Sequence, residues 1–240
     1  MKRRKNPWPA VLLALLVVAA TIFILLRFVF VVRSVQVEGD VNMSSEDVIR
    51  SGDIGFGESI FRVNEDEIRR AINASGQICF EGVEADYPDT LILHVHQREP
   101  VTMIMHAGKI LVLDESGCAM RSIDEAPDTD LIFVTDFGVS SFRIGEVVSA
   151  DEDQLADYCA VVQAIVRSGA AGLVSELNLA DGQNLWIITR RGIEVRLGDR
   201  RSIDDKIAWM KSAVVDLENR GQYGGVLDVS SGTKADYRAS

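Results

Sequence analysis

The run PWPAVLLALLVVAATIFILLRFVFVV, residues 7–32, constrains this chain more than any other stretch. Residues 10–26 carry no charge, and 28–32 continue the apolar run past Arg27. At about 1.5 Å per helical residue, such a run reaches across a hydrocarbon core about 30 Å thick. The sequence therefore predicts a membrane-spanning helix over 8–32. Arg27 is compatible with this near the outer end, where its stem lies along the apolar phase and its guanidinium reaches the headgroups. Lys2, Arg3, Arg4 and Lys5 precede the run without an acid. Such a cluster stays on the cytoplasmic side, so 1–7 is expected to be a cytoplasmic tail and the remainder to be extracytoplasmic. A cleavable signal would have an apolar region of about 7–15 residues ending in a small-x-small site. Here Ala19 and Ala20 lie mid-run and the run ends in large residues, so the helix is expected to be retained as an anchor.

Net charge is −11, and setting aside the four cations of the tail leaves −15 on the exported part. An acidic ectodomain argues against nucleic acid and against docking on anionic headgroups. Cys79, Cys118 and Cys159 are an odd set without CxxC spacing. They are expected to be buried thiols acting as small apolar groups, or to include one bridged pair.

Beyond the anchor, Val35, Val37 and Gly39 alternate with polar residues as in a half-buried strand. Ser44 or Ser45 caps a short helix ending at Gly52, a glycine-rich turn follows at 55–61, and Asn64 caps a helix over 65–74. Alternation at Val83, Ala85 and Tyr87, a turn at Pro88 and Asp89, and alternation at Leu91, Leu93 and Val95 give two more strands. The order strand, helix, helix, strand, strand makes one α/β unit. Further on, strands are expected at 101–106, 109–114 and 131–134, with 123–130 an acidic surface loop. A helix over 151–168 stops at Gly169, and three strands at 177–179, 185–189 and 193–197 form a meander. Ser202, with Asp205, is expected to cap a last helix that ends at Gly221. Short strands at 226–229 and 235–238 complete the chain.

That order, with VQVEG at 35–39, GESIF at 57–61, VEADYPDTLILHV at 83–95 and REPV at 98–101, resembles the POTRA domain of the bacterial division proteins FtsQ and DivIB. ILVLDESG at 110–117 resembles the segment that opens the family's second, β-rich domain. The resemblance implies an α+β protein with four parts. These are a tail at 1–7, a transmembrane helix at 8–32, a POTRA domain at 33–99 and a β domain with two flanking helices at 100–240. It implies a non-enzymatic bitopic scaffold of the inner membrane at the division septum. Partners would be FtsB/DivIC-like and FtsL-like single-pass proteins and, indirectly, septal peptidoglycan synthases. Family members bind FtsB through their C-terminal strands, which here means Lys234, Ala235, Asp236, Tyr237 and Arg238, with Tyr237 as anchor.

No catalytic or cofactor set is expected. His94 and His96 share one strand face, a geometry open to metal, but a polar solvent-facing side explains them equally and is preferred. Asp151, Glu152 and Asp153 resemble a chelating cluster and read better as an acidic first turn complementing a helix dipole. Gly55 and Gly57 lack the third glycine of a dinucleotide site, and no hydrolase set of the GxSxG, Ser-x-x-Lys or HExxH kind is expected. The competing functions are a membrane-anchored extracytoplasmic cell-wall enzyme and a POTRA-bearing export or assembly component.

Overall fold

A side chain in a bilayer meets hydrocarbon on all sides, and the first helix has the composition for it. α1 (Trp8–Ile24) is apolar all round, and its one hydroxyl, Thr21 Oγ1, donates to the Val17 carbonyl at 2.9 Å. The computed structural model describes residues 8–125 and 130–239. Lys2, Arg3, Arg4 and Lys5, and residues 126–129 of the expected acidic loop, lie outside the described residues. Past α1, residues Leu25–Val29 widen into a π-helical turn in which the Phe30 amide donates to the Leu25 carbonyl at 3.1 Å. Among the described residues, Val11–Val29 is the one helix long and apolar enough to cross a membrane; its 19 residues reach about 28 Å.

The apolar run outlasts the helix. Val31 bridges to Ser59, the Val32 amide donates to the Glu58 carbonyl at 2.9 Å, and Val32 packs with Ile60 and Leu91. Apolarity does not distinguish a residue facing lipid from one facing a folded core, so the sequence extends the span over both.

The chain divides into two compact units, Met1–Asn73 with Ile78–Gln97, and Ala74–Gln77 with Arg98–Ser240. After the anchor, the first holds β1 (Ser34–Glu38), α2 (Ser45–Ser51), α3 (Glu65–Asn73), β2 (Ile78–Asp86) and β3 (Thr90–Gln97). The sheet order is β1-β3-β2, with β1 parallel and β2 antiparallel to the central strand. Ser44 Oγ accepts from the Asp47 amide at 3.2 Å and Asn64 Oδ1 from the Asp66 amide at 3.2 Å, so both helices start on side-chain caps. Val48, Ile68 and Ile72 from the helices meet Ile78, Phe80, Leu93 and Val95 from the sheet. Strand β2 starts five residues before the alternation at Val83. A register shift between Phe80 and Gly82 breaks the two-residue period and hides its first half from sequence.

The second unit contains β4 (Thr102–His106), β5 (Lys109–Leu113), β6 (Ala119–Ile123), β7 (Ile132–Thr135), α4 (Glu152–Ser168), β8 (Val174–Asn178), β9 (Leu185–Thr189), β10 (Glu194–Gly198), α5 (Ile203–Asn219), β11 (Val226–Asp228) and β12 (Asp236–Arg238). They form a mixed sheet of order β12-β11-β10-β9-β8-β7-β4-β5-β6. Both helices pack on one side: Tyr158, Val162 and Ile165 of α4 and Ile207, Met210 and Val214 of α5 share a core with Leu177, Ile187, Val195 and Leu227. Asp151 Oδ1 accepts from the amides of Asp153 and Gln154 at 3.0 and 3.2 Å, and Gly169 closes α4 in the left-handed region at φ 66°. β8, β9 and β10 form the expected antiparallel meander, and α5 carries the chain across so that β11 runs parallel to β10.

Ser202 corrects one expectation. It sits at φ 50° with no side-chain cap, and the start of α5 is held instead by buried Lys206, whose Nζ donates to the Asp199 carbonyl at 2.7 Å. A cap needs extended backbone, and the left-handed Ser202 turns its hydroxyl away from that role. At the end of β5, Asp114 Oδ1 accepts from the Ser116 amide (2.8 Å), the Ser116 hydroxyl (2.6 Å) and the Cys118 amide (2.9 Å), while Oδ2 pairs with Arg98. Arg98 and Asp114 are both buried.

Candidate partner-binding edge

The C-terminal strands stand at one margin of the sheet because α5 uses up the connection between β10 and β11. β12 then folds back antiparallel, pairing Val226 with Arg238, Leu227 with Tyr237 and Asp228 with Asp236. The hairpin is set locally. Asp228 Oδ1 accepts from the Ser230 amide and hydroxyl at 3.0 and 2.7 Å, the Gly232 amide donates to the Val229 carbonyl at 2.9 Å, and Gly232 lies at φ 69°. The two Ser230 contacts, with Arg196 and Arg238 nearby, hold the Asp228 carboxyl below its ordinary range. On its far side β12 has no neighbouring strand among the described residues, so its outward backbone groups are open to another strand.

The five predicted residues fall on this strand and its approach. Ala235 and Tyr237 turn inward onto the core, and the Tyr237 hydroxyl donates to the Gly224 carbonyl at 3.0 Å. Lys234 and Asp236 are exposed and paired at 2.6 Å, and Arg238 is exposed. A Tyr237 ring committed to its own domain leaves the backbone edge, more than that ring, as the available surface. Two features of this margin escape a strand-by-strand reading. Tyr223, 56% exposed, carries the Arg191 guanidinium 5.4 Å from its ring centroid, and Gly225 sits at φ 84° directly under the last strand. A Cβ on Gly225 would lie 2.5 Å from the Arg238 carbonyl oxygen and 2.9 Å from the Tyr237 ring, so only glycine lets β12 close.

The other candidates are placed as follows. His94 lies between Glu38 and Glu84 at 3.7 Å each, and His96 Nδ1 is 2.8 Å from Glu81 Oε1, all on the solvent face of the β1-β3-β2 sheet. His106 meets Phe142 edge-on at 5.5 Å, and no metal-holding group of three such side chains occurs among the described residues. Cys118 is buried; Cys79 and Cys159 are half-buried. Burial pushes the Cys159 thiol up, with the Asp114 charge adding to it. One expectation is corrected: a Ser-x-x-Lys spacing, that of some serine hydrolases, does occur, at Ser231 and Lys234. Here they lie on an exposed turn, with Ser231 Oγ accepting from the Thr233 amide at 3.3 Å and Lys234 turned to Asp236.

Residues 30–98 match the family model described as POTRA domain, FtsQ-type. The match begins at Phe30, the first residue beyond the π-helical turn. Over a longer stretch the chain is 20% identical to the cell division protein DivIB of Clostridium tetani, covering 84% of this chain and 76% of that one. It is 21% identical to DivIB of Clostridium botulinum, covering 95% and 90% respectively. The cell division protein FtsQ of Streptomyces bingchenggensis is 29% identical over 97 residues, 40% of this chain and 37% of that one.

The chain is similar to DivIB and FtsQ. The POTRA match covers the part of the first unit that follows the anchor, and the DivIB likeness extends through the second. The extracytoplasmic domain of DivIB from Geobacillus stearothermophilus aligns with 51% of this chain at 15% identity and a TM-score of 0.34, too loose a superposition to bear on the assignment.

Proposed function

We propose that this chain is a non-enzymatic, single-pass scaffold of the cell division machinery. α1 anchors it, the basic tail faces the cytoplasm, and the POTRA and β units work outside. The open edge of β12 carries this reading, because a strand with unsatisfied outward donors and acceptors recruits another chain through main-chain hydrogen bonds. The partners are small single-pass division proteins of the FtsB/DivIC and FtsL kind. They add a strand along 234–238 and reach exposed Arg238 and Tyr223 at its ends. Through them the scaffold is held beside the septal peptidoglycan synthases.

In-cell crosslinking and pull-down of the full chain test this against Gly225→Ala, Asp236→Pro and a chain ending before Lys234. Each strand hydrogen bond contributes about 0.5–1.5 kcal/mol, so losing two or three should weaken capture of the partner about tenfold or more and give filamentous cells. Gly225→Ala is the sharper probe, since it keeps every side chain of β12 in the sequence while preventing the strand from closing. An unchanged partner set with normal septa in all three would sink the β12 interface. A wall enzyme would instead lose its activity on removal of a single carboxylate.

A further inference from the structure

Phe30, Phe61 and Tyr87 form a closed aromatic triad at the point where the chain leaves α1. Their ring centroids are 5.4 Å (Phe30 to Phe61), 6.0 Å (Phe30 to Tyr87) and 5.6 Å (Phe61 to Tyr87) apart. Three apolar rings normally gather to leave water, yet Phe61 and Tyr87 are 55% and 57% exposed, and Phe56 on the same loop is 58% exposed. The loop is fastened to the helix exit: the Ile60 amide donates to the Phe30 carbonyl at 3.1 Å and the Gly57 amide to the Val32 carbonyl at 2.8 Å.

We propose that this patch is a lipid-binding surface, seated in the headgroup layer of the same membrane that α1 crosses. The proposal rests on that membrane-spanning reading. Phe30 follows the last turn of the 19-residue span directly, so a bilayer fitted to Val11–Val29 puts Phe30 at the edge of the hydrocarbon. Rings within 6.0 Å of it then fall inside the interfacial layer, which adds about 5–8 Å on each side of the core. Aromatic rings favour that layer, and the Tyr87 hydroxyl suits its wet side. Beside the triad lies an open groove of about 640 Å³, lined by Phe23, Leu26 and Phe61 and by Arg27, Arg62 and Glu58. Apolar walls with two guanidinium groups match an acyl chain with its phosphate. The ligand class is therefore phospholipid, held by the rings and by Arg27 and Arg62.

The test uses the full chain in nanodiscs, with Trp8→Phe removing the indole at the other end of the helix. Tyr87→Trp and, separately, Phe61→Trp report depth through quenching by dibrominated phosphatidylcholine and by aqueous iodide, as differences from the parent chain. Val18→Trp in the same background reports the span. The expected result is about twofold or stronger quenching of the indole signals at positions 87 and 61 by brominated lipid, with iodide largely excluded. Quenching at position 18 with positions 61 and 87 open to iodide would overturn the lipid surface while leaving the span intact, and would point to a protein occupant. Iodide quenching at all three positions would overturn both.

Discussion

Asp114→Ala should lower the stability of the C-terminal unit by about 3–5 kcal/mol, because it removes one partner of a buried ion pair and leaves a charge behind. Four groups lose their acceptor at once: the Arg98 guanidinium, the Ser116 amide and hydroxyl, and the Cys118 amide. Guanidinium unfolding followed by Trp186 and Trp209, both in this unit, reads the loss as a lower midpoint. Replacing both partners, Arg98→Met with Asp114→Leu, should recover part of it, since paired removal of two buried charges is better tolerated than loss of one. A single alanine change within about 1 kcal/mol of the parent would show that the pair is not buried as described. Tyr158 belongs to the same cluster. Its hydroxyl is 2.6 Å from Thr102 Oγ1 and donates to the Asp114 carbonyl at 2.6 Å, and full burial pushes the phenol well above its ordinary range. Tyr158→Phe should therefore cost about 1–3 kcal/mol in the same assay, as the Asp114 carbonyl loses a donor inside the core.

Gly39→Ala should be the most damaging single methyl in the POTRA domain. Gly39 sits at φ 137°, and a Cβ there would lie 1.6 Å from the Val95 carbonyl oxygen, which belongs to the central strand. That atom cannot swing aside as a flexible side chain could, so β1 or β3 must move. Burial of Leu93 and Val95 depends on both strands staying where they are. Hydrogen exchange of the Leu93 and Val95 amides should accelerate by about two orders of magnitude or more, equivalent to about 3 kcal/mol, while the Trp186 and Trp209 transition stays put. Gly57→Ala is the control, since φ is 82° but nothing lies within 4 Å of the added carbon. It should cost only the local backbone strain of about 1–2 kcal/mol. Equal exchange in the two variants would refute the steric account.

Much of this is legible in the sequence alone, for identifiable reasons. The amphipathic spacing of 151–168, the capping Asp151 and the stop at Gly169 are local signals, and they produced α4 almost to the residue. The strand-helix-helix-strand-strand order survived as a POTRA match for the same reason. What escaped depends on non-local geometry. β6, with AMRSI, has no alternation to read and exists because β5 offers it an edge. Ser202 has a capping residue's chemistry but the wrong backbone. The resemblance at 110–117 includes Asp114, but its buried role is not legible there, because the donors around it converge only when β5 turns back toward Cys118. At the candidate edge, the strand 235–238 was readable as a strand, but the inward turn of Tyr237 follows from its register with Leu227.

The clamp between 30–32 and 57–60 has a mechanical meaning. Amide-to-carbonyl links on both sides of Val31, with Val32 buried in the domain core, shorten the free connection between the anchor and the β1-β3-β2 sheet to the backbone around Phe30. A connection that short limits how far the sheet can turn independently of the anchor. A helix packed against α1 would then bias the bearing of the β1-β3-β2 sheet, so the same connection that tethers the unit also restricts its aim.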